Sequence, residues 1–349
     1  MTTPLYEQEF FPAFQNRMYD SPEEARNCPK GNIRLVEDEL TGLVRNVAFQ
    51  PELMVYDQHY QNEQGNSLSF LLHLELVAAI TERLLGRQKL VEVGCGKGCF
   101  LEMLAARGVD ITGFDPAYEG QNTLIRREKF SPGLIDRAPG LILRHVLEHV
   151  QDPVFFLSQI AQANENAGRI YIEVPCFDWI CKHRAWFDIY YEHVNYFRLN
   201  DFHRIFGKIV ESGHLFGGQY VYVVAEIASL RQPTPVASRA QLPANFMTSI
   251  KSLSVPKSQP RVVWGGASKG VIFALLMERY GAPVHAVIDV NPAKQGKYIA
   301  ATGLRIGSPE EVLRSVSHGS SIYVMNSNYL EEIRCMTRNA YTYIGVEAV

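Results

Sequence analysis

Lys89-Leu-Val-Glu-Val-Gly-Cys-Gly-Lys-Gly98 is the stretch on which the fold of this chain turns. A short apolar run breaks into three glycines at alternate positions, Gly94, Gly96 and Gly98, in the form E-x-G-x-G-x-G beginning at Glu92. Glycines at a strand end let the backbone turn sharply and approach a ligand that a Cβ would hold away. A helix is expected from Phe100 to Arg107, then a strand from Asp110 to Phe114 that ends at Asp115-Pro116. An acid at that place can accept hydrogen bonds from both hydroxyls of a ribose.

Working outward, Phe70, Leu71, Leu74, Leu76, Val77, Ile80 and Leu84 recur at helical spacing and predict one amphipathic helix leading into the first strand. Leu141-Ile-Leu143 and Ile170-Tyr-Ile-Glu-Val174 read as later strands, and Gln219 to Ile227 alternates as a late antiparallel one. Strands alternating with helices predict an α/β fold with a mostly parallel sheet covered on both faces. Residues 1–65 read as an irregular N-terminal segment, because Pro4, Pro12, Pro22, Pro29 and Pro51 interrupt any long helix. Residues 231–258 are rich in Ser, Pro, Gln and Ala and read as a linker with one helical stretch.

From residue 259 the pattern restarts. Arg261-Val-Val-Trp-Gly-Gly-Ala-Ser-Lys-Gly270 is strand, glycine turn and helix, and strands are expected at His285–Asp289 and Ser321–Met325. The halves rhyme: each glycine turn ends in Lys-Gly (Lys97-Gly98, Lys269-Gly270), and each next strand ends at an Asp with a Pro beyond (Asp115-Pro116; Asp289 and Pro292). The expected organisation is a Rossmann-like domain at 66–230, the linker at 231–258 and a second, smaller Rossmann-like α/β domain at 259–349.

Composition narrows the classes. With 46% hydrophobic and 20% charged residues over 349 positions, the chain can bury a sizeable core without disulfides or metals. A net charge of -3 with no dense basic cluster argues against nucleic-acid partners. The six cysteines (Cys28, Cys95, Cys99, Cys176, Cys181, Cys335) show no paired C-x-x-C spacing, so no metal centre and no disulfide framework is expected. The N-terminus lacks the basic and apolar regions of a signal peptide, and no apolar run approaches the ~20 residues of a membrane span. A soluble, cytoplasmic protein without membrane contact is expected.

The G-x-G-x-G spacing departs from the G-x-G-x-x-G of dinucleotide binders. It favours S-adenosylmethionine (SAM), which has no pyrophosphate to cradle and can lay its methionine portion on the glycine backbone. Arg144-His-Val-Leu-Glu-His149 at the end of a later strand strengthens this reading. Glu92, Gly94, Cys95, Gly96, Gly98, Asp115, Pro116, Arg144 and His145 are the expected cofactor contacts.

These residues, with Val146-Leu-Glu-His149, resemble class I SAM-dependent methyltransferases. Ile189-Tyr-Tyr-Glu-His-Val-Asn-Tyr-Phe197 is similar to the Ile-Tyr-His-Glu-His-x-x-Tyr-Phe motif of sugar C-methyltransferases, which methylate carbon next to a ketone in nucleotide-linked 4-keto-deoxysugars. Gly265–Gly270, Asp289, Lys294–Tyr298 and Ser308-Pro-Glu310 resemble the C-terminal domain of those enzymes, and Tyr60–Ser67 with His73 resembles a segment upstream of their cofactor turn. The likeness spans roughly residues 56–335. Two departures stand out. Relatives of the antibiotic-sugar type carry a zinc module built on four cysteines, whereas only Cys28 precedes the cofactor turn here, so that module is absent or metal-free. One motif histidine is replaced by Tyr191.

The resemblance implies C-methylation of a keto-sugar nucleotide. A proton next to a carbonyl must leave so that carbon can take the methyl group in line. His193 is the expected base, because imidazole titrates near operating pH. Glu192 or Tyr190 would orient it, polarise the carbonyl or stabilise the enolate oxygen, with Tyr60 assisting. Lys269 and Ser268 in the second glycine turn, with Lys294 and Tyr196, are the expected substrate contacts, Lys269 as counter-charge to a phosphate. Other readings stay open: methyl transfer to a hydroxyl, an NAD(P)-dependent oxidoreductase using the C-terminal unit, and a non-catalytic SAM or nucleotide binder. The expected partner is a small molecule, a nucleotide-linked sugar, and a homodimer is admitted.

Overall fold

The structure is a computed structural model and describes residues 3–54, 59–61, 65, 67–235, 239–253 and 260–348. Its centre is a seven-stranded sheet in the order Ile125–Arg126, Ile111–Phe114, Leu90–Val93, Gly140–Arg144, Arg169–Pro175, Tyr220–Glu226, Ile209–Leu215. Only Tyr220–Glu226 runs antiparallel to the rest. All four residues of Leu90–Val93 are buried, the continuous burial expected of a parallel strand covered on both faces. The chain reverses its winding between Leu90–Val93 and Gly140–Arg144, and the crevice beyond such a switch point is where α/β sheets take their ligands.

The helix Leu68–Leu85 covers one face. Ser67 caps it by accepting from the Phe70 amide, and Phe70, His73, Leu74, Val77, Ala78, Thr81 and Leu85 form its buried stripe at three- and four-residue spacing. Gly86, at φ 88°, ends it. Helix Pro153–Ala163 opens with Asp152 as cap and Pro153 in the first turn, where a missing N–H costs nothing.

The N-terminal segment is not irregular where it is described. Strands Tyr6–Pro12, Lys30–Glu37 and Val44–Asn46 form an antiparallel sheet completed by Asn195–Tyr196 from far along the chain. The prolines that rule out a long helix here punctuate strands and turns instead: Pro12 ends a strand, Pro22 opens a five-residue helix and Pro51 a short 3-10 turn. The sheet is held by an apolar core of Phe11, Phe14, Ile33, Leu35 and Val44. Tyr191 belongs to that core. Its ring lies so close over Gly31 that a Cβ there would come within 2.2 Å, and its hydroxyl accepts from the Gln50 amide at 2.7 Å. The residue that departs from the motif is thus a packing element of the N-terminal sheet.

Residues from Val262 onward build a second sheet, five strands and all parallel, ordered Ile306–Gly307, Ala286–Ile288, Val262–Trp264, Ser321–Val324, Thr342–Gly345. Helix Lys269–Arg279 is nearly buried all round, from Gly270 to Met277. The stretch expected as a linker is packed where it is described. Phe246, Ile250 and Leu253 are buried, and the Trp186 indole donates to Ser249 Oγ at 2.8 Å. Among the described residues, no helix is long and apolar enough to cross a membrane.

Candidate functional site

A cleft of about 360 Å³ lies between the carboxyl ends of the parallel strands of the two sheets. Glu92, Gly94, Cys95, Gly96, Arg144 and His145 line one side, Tyr60, Asp188, Tyr190 and His193 its middle, and Ser268, Lys269, Asp289 and Lys294 the other.

On the first side, Gly94 adopts φ 73°, and a Cβ there would meet the Val146 side chain at 2.5 Å. The turn is closed by Asp115, whose Oδ2 accepts from the Gly96 amide at 2.8 Å while its Oδ1 accepts from Ala117 at 2.8 Å. Gly98, Asp115 and the exposed Pro116 shape the turn from behind and do not line the cleft. Glu92 faces the cleft with Oε2 unpartnered; burial pushes its carboxyl up to about 7, against the pull of Arg144. A buried carboxylate oxygen without a partner, beside a backbone bare of Cβ atoms, fits a cofactor that carries an ammonium group and an extended apolar chain, as SAM does.

Beneath this wall sits a buried ionic cluster around Glu173, a lone acid inside an apolar strand. Its carboxylate takes hydrogen bonds from Tyr171 (2.6 Å), His73 (3.0 Å), His145 (3.1 Å) and Arg144 (3.4 Å). Burial opposes its charge, but Arg144 and the two imidazoles hold it well below the usual carboxylate range. His145 also reaches Glu148 at 3.2 Å. Burial would lower its pKa; the bonds to Glu148 and Glu173 win and raise it to about 9, so His145 is an imidazolium.

His193 is the opposite case. Burial first, then the neighbouring basic groups, Lys269 among them, hold its pKa well below the usual imidazole range. It is a neutral ring facing the cleft, its Nδ1 without a hydrogen-bond partner, and 4.2 Å centroid to centroid from Tyr190. Burial keeps the Tyr190 phenol far above its ordinary pKa, so it stays protonated and can donate. Glu192 stands outside the cleft wall. Its carboxylate accepts from the Gln15 amide (2.6 Å), the Asn16 amide (3.2 Å) and the Tyr60 hydroxyl (2.8 Å). It fastens the N-terminal segment, and Tyr60 with it, beside His193.

The substrate-side residues carry a correction. Lys269 reaches the cleft, but Nζ is already 3.0 Å from Asp188 and 2.8 Å from Gln219 Oε1, over the Trp179 ring. Lys294 is 3.4 Å from Asp289, and Ser268 donates to Asn16 Oδ1 at 2.8 Å. Both lysines expected as substrate contacts are already paired, Lys269 with an acid from a distant element and Lys294 with the acid five residues before it. Tyr196 is absent from the cleft wall and spends its hydroxyl on the backbone of Tyr190. The second glycine turn nevertheless repeats the first: Asp289 accepts from the Gly266 and Asn291 amides, both at 2.9 Å, as Asp115 does from Gly96 and Ala117. The sequence does not single out Asp188 or Glu173. For Glu173 a signal existed, since an acid inside Ile-Tyr-Ile-Glu-Val is costly unless paired.

Residues 66–209 match the sequence model of a family described as a methyltransferase domain. Among solved structures the chain is similar to a SAM-dependent methyltransferase from Aquifex aeolicus (14% identity, 47% of this chain and 95% of that chain, TM-score 0.35). One from Mesorhizobium loti gives 15% identity over 44% and 97% of the two chains at a TM-score of 0.35. One from Archaeoglobus fulgidus gives 18% identity over 46% and 100% at 0.33. None of the curated proteins matches the chain. The matched stretch, residues 66–209, takes in the helix Leu68–Leu85 and most of the seven-stranded sheet.

Proposed function

We propose that this chain, a SAM-dependent methyltransferase, methylates a carbon next to the ketone of a nucleotide-linked sugar, with His193 as the general base. SAM is the methyl donor and, when bound, supplies a methyl group activated by its sulfonium. The observation that carries the reading is His193 itself: a neutral imidazole facing the cleft with a nitrogen to spare. Such a ring is free to accept a proton, but burial makes it a weaker base than the imidazole titrating near operating pH that the sequence leads one to expect, so its share falls toward the low end of the ~10²–10⁴-fold of general bases. Tyr190 remains protonated and donates to the carbonyl oxygen as negative charge gathers there. Tyr60 and Glu192 hold the N-terminal segment against the site. Arg144 and His145 stand on the cofactor wall, both paired with Glu173 beneath it.

The cleft continues to the second glycine turn, which suits the long handle of a nucleotide sugar. There a phosphate would draw Lys269 away from Asp188, so Lys269 is proposed as a contact made on binding rather than a waiting cation. Deuterium wash-in tests the reaction. With enzyme, S-adenosylhomocysteine and a keto-sugar nucleotide in D₂O, the carbon next to the ketone should exchange, and His193→Ala should abolish exchange and methyl transfer while the cofactor product still binds. Methyl transfer without carbon exchange would identify a hydroxyl acceptor and sink the carbon reading.

A further inference from the structure

Glu148, His149 and His193 meet on the cleft wall, one ligand atom from each, all within 4.8 Å of one another. Their free valences point to a use beyond proton transfer. Glu148 is buried, and while Oε1 faces His145, Oε2 has no partner. His193 is buried with Nδ1 unpartnered. The Nδ1 of His149 lies 2.9 Å from the Glu192 carbonyl, which can only accept, so Nδ1 carries the hydrogen and Nε2 keeps its lone pair. Two imidazoles and one carboxylate are a familiar three-ligand set for zinc, and an imidazole whose other nitrogen donates to a carbonyl is oriented as metal-bound histidines usually are.

We propose that Glu148, His149 and His193 form a site for an imidazole-preferring divalent cation such as Zn²⁺, which binds by taking the lone pair of His193. A tetrahedral ion with bonds of ~2.0–2.1 Å needs ligand atoms about 3.4 Å apart, so side-chain rotation has little more than an ångström to close. The donor set selects the ion. The site offers two imidazole nitrogens and a single carboxylate, whose other oxygen already faces His145. Mg²⁺ and Ca²⁺ need several oxygen ligands and find too few, whereas Zn²⁺ or Co²⁺ is satisfied by nitrogen. Because the ion occupies the nitrogen that the proposed reaction uses, it is an inhibitor of methyl transfer. That consequence, unlike the binding itself, rests on the reading of His193 as the base.

Titration of the purified protein with ZnCl₂ by calorimetry should show one site, with MgCl₂ and CaCl₂ silent. CoCl₂ should give the strong visible absorption of a tetrahedral ion. Glu148→Gln and His149→Ala should each weaken Zn²⁺ by more than about 100-fold, beyond the ~10–100-fold that loss of an outer-shell partner costs. His203→Ala, on an exposed helix position, should change nothing. Near-ultraviolet circular dichroism of both variants checks their fold; if either fails, the cobalt spectrum of the unaltered protein still decides. No binding, a weak octahedral cobalt spectrum, or Zn²⁺ affinity indifferent to Glu148 and His149 overturns the site. The two proposals separate in the exchange assay: site-dependent Zn²⁺ binding that leaves deuterium wash-in running keeps the metal site and removes His193 as the base.

Discussion

Glu173→Gln removes one charge and almost no volume, and it strikes the ionic cluster under the cofactor wall. The carboxylate accepts four hydrogen bonds and is buried with them. Gln keeps one acceptor oxygen, so Tyr171 or His73 can be satisfied, but Arg144 loses its counter-charge and His145 keeps only Glu148. Removing one partner from a buried ionic arrangement costs about 3–5 kcal/mol. That is a large part of the ~5–15 kcal/mol by which a domain is stable. The pH dependence carries a signature. His145 is raised from 6.5 to about 9 in the folded protein, so its contribution is full below its ordinary value and lost as pH rises through about 9. A rise of that size corresponds to roughly 3 kcal/mol, for a side chain 27% exposed. Glu173 is held below its ordinary value, so its contribution is full above that value and lost as pH falls through the lowered pKa. Urea unfolding followed by circular dichroism should therefore show the variant weaker by about 3–5 kcal/mol at pH 6, with the gap narrowing above pH 9 as the wild-type His145 gives up its proton. A gap under about 1 kcal/mol at pH 6, or one that stays constant to pH 10, refutes the account of this cluster.

Asp115→Ala should weaken S-adenosylhomocysteine binding by roughly 1–3 kcal/mol in calorimetry, because the acid holds the Gly96 amide and so the turn that lines the cleft; undiminished affinity would show that the turn does not depend on Asp115. Lys269→Ala strands Asp188 in a buried setting and should cost about 3–5 kcal/mol of stability. Adding Asp188→Asn should recover most of that loss, and an unchanged unfolding midpoint in the single variant would show that the pair carries no strain of separation. The same Lys269→Ala protein should show a raised KM for the sugar nucleotide with cofactor affinity unaltered, if the lysine turns to a phosphate on binding.

Both parallel sheets are legible in the sequence because their strands are buried on both faces and announce themselves as apolar runs ending in glycine or aspartate. Leu90–Val93, Ile111–Phe114 and Val262–Trp264 are of this kind. The N-terminal sheet is hidden for the opposite reason. Its closing strand, Asn195–Tyr196, is two residues long and sits some 150 residues from its partner Val44–Asn46, so no local pattern signals the pairing. The site divides the same way. Gly94, Gly96, His145 and His193, singled out by the motifs they sit in, all line the cleft. The neutralising partner of Lys269 is not so marked: Asp188, some 80 residues away, meets it only through packing, and a lysine looks the same in sequence whether it is free or paired.

Glu332 has no part in any chemistry described above, yet it decides how the molecule can be divided. Its carboxylate accepts from Ser67 Oγ (2.7 Å), Ser69 Oγ (3.0 Å) and the Leu68 and Ser69 amides (3.3 and 3.2 Å), at the start of the helix Leu68–Leu85. The first turn of a helix belonging to the methyltransferase domain is thus finished by an acid supplied more than 260 residues later in the chain. Gene dissection that kept only the methyltransferase half would leave that helix frayed at the end that borders the cleft. The two halves rhyme like products of a duplication, but they are no longer separable: each has come to supply parts that the other lacks, so the chain would evolve, and fail, as one piece.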